Sequence, residues 1–109
     1  MTVISQDKLE HALDFLASTD AEYADWVGRV LRTDYLADVA EALAFKSLEG
    51  SVEARRQAAK CDPAVQKAKE EHFQAVVARE KLKAQRTRAT IVVECWRTLE
   101  ASRRQGHIQ

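Results

Sequence analysis

Proline and glycine are nearly missing: the 109-residue chain has one proline and three glycines. Few places remain where a helix can break. No glycine-rich phosphate loop and no recognisable Ser or Cys nucleophile motif occurs, which argues against an enzyme. Cysteine is also scarce, with Cys61 and Cys95 alone. Placed on one helix they would lie about 50 Å apart, far beyond disulfide reach. Two free thiols fit a reducing compartment. No apolar run reaches transmembrane length, and Met1 to Ser5 lacks a basic segment followed by an apolar block. The expectation is a soluble protein without a membrane partner.

What is present is helical. Apolar residues make up 46% of the chain and charged residues 31%, a globular composition that supports a single domain over residues 1–109. Net charge is zero but unevenly spread. Residues 1–49 carry ten acids and four bases, whereas residues 79–109 carry three acids and eight bases. Opposite ends of this kind can attract within one chain, between chains, or toward a phosphate backbone.

Ser5 is a candidate N-cap with Asp7 in the first turn. A first helix is expected over 6–17, buried through Leu9, Ala12, Leu13 and Leu16. Ser18, Thr19 and Asp20 then read as a turn, and Thr19 with Glu22 as a capping box opening a second helix over 20–48. A break near Thr33 is the alternative. Gly50 is a natural residue after a helix end. Ser51 caps a short segment over 52–60. Asp62-Pro63 restarts a helix expected to reach Arg104 and to end at Gly106, with Ile108 able to fold back.

The last helix is the organising element. Ala64, Ala68, Glu71, Ala75, Ala78, Leu82, Gln85, Ala89, Val92, Trp96 and Leu99 recur at alternating steps of three and four, a coiled-coil register. A second stripe contains Phe73, Val77, Ala84, Thr87, Ile91 and Cys95, and a helix apolar on two sides needs two neighbours. The expected fold is all-α, an elongated antiparallel, coiled-coil-like helical hairpin with an extra N-terminal helix. Its arms would be unequal, about 43 Å and 60 Å, so a homodimer or higher oligomer is expected.

Chemistry-bearing clusters are few. His11 has Asp7 and Asp14 one turn away on either side, but a structural zinc site needs four ligands. No metal and no cofactor is expected. The basic run Arg79, Lys81, Lys83, Arg86 and Arg88 is a candidate surface for DNA or a protein partner, although it lacks aromatic residues for base stacking. Val92, Trp96, Arg97, Leu99, Arg103 and Arg104 form a candidate partner interface, with Trp and Arg as anchors. The acidic residues Asp34, Asp38 and Glu41 are the one feature that suits an inhibitor of a nuclease, by occupying its nucleic-acid channel.

The segments Gly50-Ser51-Val52-Glu53 and Val93-Glu94, followed by Trp96-Arg97, Leu99, Ala101, Arg103-Arg104, Gly106 and Ile108, carry a resemblance. The chain resembles small all-helical proteins encoded by tailed bacteriophages of proteobacteria, chiefly in its W-R-x-L-x-A-x-R-R-x-G-x-I ending. The resemblance implies an accessory protein acting in the host cytoplasm, near early-region or recombination functions, through a phage or host protein. It carries no catalytic residues over.

Overall fold

The computed structural model describes residues 4–108, and its secondary structure is entirely helical over that range. Helix α1 spans Gln6–Ser47, α2 Val52–Lys60 and α3 Pro63–Ile108. The expected all-α, antiparallel hairpin architecture holds. Ser5 caps α1 by accepting the Lys8 N–H at 3.2 Å. Ser51 likewise accepts from Ala54 at the start of α2. The Asp62 carboxylate accepts from Ala64 at 2.9 Å, with Pro63 as the first helical residue.

Three local expectations are corrected. The turn at Ser18–Asp20 is absent, and the N-terminal helical segment continues into the second without interruption. Thr19 does not cap: its hydroxyl donates to the Phe15 carbonyl at 2.7 Å, one turn back. Thr33 does the same to Arg29 at 2.7 Å, which removes the alternative break there. A hydroxyl satisfied within its own helix no longer competes with the helical backbone. At the other end, Gly106 does not stop α3, which runs to Ile108. The expected fold-back of the Ile108 side chain lies outside what is described.

These corrections change the lengths. With 42 residues in α1 and 46 in α3, the two long helices are nearly equal, and the argument for a partner chain from unequal arms falls.

The chain divides into two compact units, one of Met1–Tyr23 with Lys81–Gln109, the other of Ala24–Glu80. In the first, Leu9, Ala12, Leu16, Thr19 and Tyr23 of α1 are buried or half-buried, and so are Leu82, Arg86, Ala89, Val93 and Trp96 of α3. Ala12, Ala89 and Val93 form its core, with Leu9, Phe15, Leu16 and Val92 packed around them. In the second, the corresponding positions are Trp26, Val30, Thr33, Ala37, Ala40 and Ala44 on α1, and Val65, Ala68, His72, Ala75 and Arg79 on α3. Its core joins Ala44, Ala59 and Val65, so α2 closes onto both long helices there.

Steps of three and four alternate in every set, the spacing of a coiled-coil seam. One expected row of α3 is correct: Ala68, Ala75, Leu82, Ala89 and Trp96 all face inward. The other is displaced by one residue. Val65, His72, Arg79, Arg86 and Val93 occupy it instead of Ala64, Glu71, Ala78, Gln85 and Val92. Hydrophobicity pointed to the wrong row because two polar members of the right row, His72 and Arg86, find partners across the seam.

Gly28 and Gly50 differ in what they require. A Cβ at Gly28 meets nothing within 4 Å inside α1, whereas Gly50 has φ +115°. Gly28→Ala should raise the urea midpoint, by up to about 1 kcal/mol of stability. Gly50→Ala should lower it by a similar amount or more, because its backbone conformation disfavours a side chain. Shifts of the same sign in the two variants would contradict the assignment.

Candidate interaction surfaces

Two polar pairs interrupt the apolar seam. In the first unit, Arg86 lies in the seam with its side chain only 19% exposed. Its Nη1 donates to the Leu16 carbonyl at 2.9 Å and to the Thr19 hydroxyl at 2.7 Å. Its Nη2 donates to the Asp20 carboxylate at 2.6 Å. The guanidinium carbon also sits 5.3 Å from the Tyr23 ring centroid, within cation–π range. Thr19 can serve Arg86 because its own proton goes to Phe15, which leaves its oxygen free to accept.

In the second unit, Thr33 Oγ1 and His72 Nδ1 are 3.0 Å apart. The Thr33 hydroxyl donates to Arg29, so the bond to His72 requires Nδ1 to carry the proton. His72 Nε2 then faces the Asp34 carboxylate at 4.0 Å. Thr19 and Thr33 are two heptads apart in the sequence, as are His72 and Arg86. That matched spacing was the available sequence signal for both pairs.

The basic run is therefore divided rather than gathered. Arg86 is a seam residue. Arg79, in the second unit, is half-buried and bonds Glu80 at 3.0 Å. Lys81, Lys83 and Arg88 are exposed in the first unit. Lys81 and Arg88 are one heptad apart on a shared row, while Lys83 points to another sector of α3. The C-terminal cluster divides in the same way. Val92, Trp96 and Leu99 are half-buried; Arg97, Arg103 and Arg104 are exposed, and Arg103 bridges Glu100 at 3.1 Å. Of the acidic set, Glu41 lies 4.0 Å from Lys69, and Asp38 is exposed.

His11 is exposed, and no group of three or more His, Cys, Asp or Glu among the described residues is placed to hold a metal. Cys61 and Cys95 are free and exposed. No described helix is long and apolar enough to cross a membrane. Leu31, Tyr35, Leu43 and Phe73 in the second unit are each more than 60% exposed. Leu31 and Tyr35 are one helical turn apart, so they share a face.

Removing Arg86 tests the seam. Arg86→Ala should lower stability by about 2 kcal/mol, since charge-assisted hydrogen bonds and ring packing are lost together. Arg86→Met should recover much of that loss, because an apolar side chain of similar length fills the seam without needing acceptors. Denaturant titration reads both. An unchanged midpoint for Arg86→Ala would remove the guanidinium from the account of stability.

Compared with protein-family models, with curated proteins and with solved structures, the chain matches none of them.

Proposed function

We propose that this protein is a non-enzymatic phage accessory protein that works by binding another protein, either a phage replication or recombination factor or a host factor, within the host cytoplasm. The observation that carries this reading is the mismatch between a thin core and a greasy exterior. Among the described residues, six of the ten buried apolar side chains are alanines, and Val65 is the large side chain with essentially no exposure. Leu31, Tyr35, Leu43 and Phe73 meanwhile stand in solvent. Single exposed apolar residues are ordinary; several on shared helical faces suit an interaction surface. Self-association through the same faces is part of the proposal. The phage setting is supported by the resemblance of the C-terminal motif.

A DNA-binding reading through Lys81, Lys83 and Arg88 is the alternative, favoured by their exposure. It is weakened because Arg86, central to the basic run, faces Thr19 and Asp20 instead. Inhibition of a host nuclease draws on Asp34, Asp38 and Glu41, two of which lie near Lys69 and His72 of α3.

Crosslinking capture from phage-infected cells tests the proposal. Wild-type protein should retain a discrete protein partner that a Leu31→Asp, Tyr35→Asp variant of unchanged helicity loses. Parallel titration onto single- and double-stranded DNA at two salt concentrations should give no salt-sensitive binding. Salt-sensitive binding abolished by Lys81→Glu, Lys83→Glu and Arg88→Glu would replace the protein-partner reading with the nucleic-acid one.

A further inference from the structure

The first unit carries a shallow groove of about 360 Å³ between α1 and α3. Ala12 and Ala89, both buried, lie at its floor, and half-buried Phe15 and Val92 line it from the two helices. Lys8, His11, Gln85 and Arg88 complete the lining, so among the described residues it contains two full positive charges and no carboxylate. Asp7 and Asp14, one turn to either side of His11, do not line it.

We infer that this groove receives an acidic amphipathic helix of another protein, with apolar residues on one face and carboxylates along its flanks. The inference rests on the protein-partner reading above but adds a second surface, on the first unit, to the exposed residues of the second, and names the chemistry of the partner it takes. Three features lead to it. Small residues at the floor of a two-helix groove let a third helix approach closely, as in a bundle. Phe15 and Val92 offer apolar contact to side chains spaced at three and four residues. Lys8 and Arg88, both exposed, then fall at the rim, where carboxylates on the incoming helix meet them without deep desolvation. A nucleic-acid backbone would engage the same cations but leave the apolar lining unused.

The test uses the full chain and three probes. One is a synthetic helical peptide with leucines at heptad spacing flanked by glutamates, the second is the same peptide with lysines in place of the glutamates, and the third is a DNA duplex. Wild-type protein should bind the glutamate peptide at least about tenfold more tightly than the lysine peptide. Lys8→Glu, Arg88→Glu should reverse that order, and binding of the lysine peptide shows that the variant is folded. An unchanged order in the variant, binding of neither peptide by wild type, or displacement of the glutamate peptide by DNA would each overturn the inference. If capture from infected cells succeeds while neither peptide binds, the groove assignment fails and the protein-partner reading stands. If both fail, both fall.

Discussion

The pairing in the first unit depends on one guanidinium. Arg86 reaches from α3 to the Leu16 carbonyl, the Thr19 hydroxyl and the Asp20 carboxylate of α1. A seam floored by alanines is permissive about register, because one alanine resembles the next. An arginine in that seam is not permissive, since a charge without acceptors in a partly desolvated site is costly. A slip of one heptad on α1 would bring Arg86 to Ala12 or Trp26 in place of Thr19, with no hydroxyl to meet it. The outer bond to Asp20 adds little by itself, because that carboxylate is 69% exposed and screened by water. Register specificity resides in the inner two bonds.

The second unit follows the same logic with a threonine–histidine pair. Thr33 and His72 meet in the seam, and the Thr33 hydroxyl is oriented by its bond to Arg29 before it accepts from the imidazole. The end of this unit is its tightest part: Ala59 and Val65 are fully buried, and Arg55 stacks 4.4 Å from the Phe45 ring centroid. Capping by Ser51 and the positive φ of Gly50 let α2 begin after the short 48–51 connection from α1. Two helices joined in this way bury little large apolar surface. The exposed leucines and aromatics are what remains, and they motivate the proposed binding role.

Surface chemistry can be sorted by the same geometry. Of five clustered cations, one anchors the seam, one is tied to a neighbouring glutamate, and three reach solvent. Only Arg88 of the three also lines the groove of the first unit, beside Phe15 and Val92. A basic run read linearly therefore overstates the basic surface. Trp96 shows the converse: a residue type common at interfaces sits half-buried at a seam position.

Much of the fold was legible because helix signals are local. Ser5, Ser51 and Asp62-Pro63 mark three helix starts through hydrogen bonds or ring constraints that reach only a few residues along the chain. The three-four recurrence of Ala68, Ala75, Leu82, Ala89 and Trp96 likewise identifies an inward face without knowledge of its partner. The sequence could not decide whether Thr19 caps a helix or continues one, since its hydroxyl serves either geometry. Nor could it reveal that His72 and Arg86 belong inside, because a polar side chain is tolerated in a seam only when an acceptor arrives from a segment tens of residues away. Local chemistry determined where helices begin and which row is apolar; tertiary contact alone decided which polar residues that row would admit.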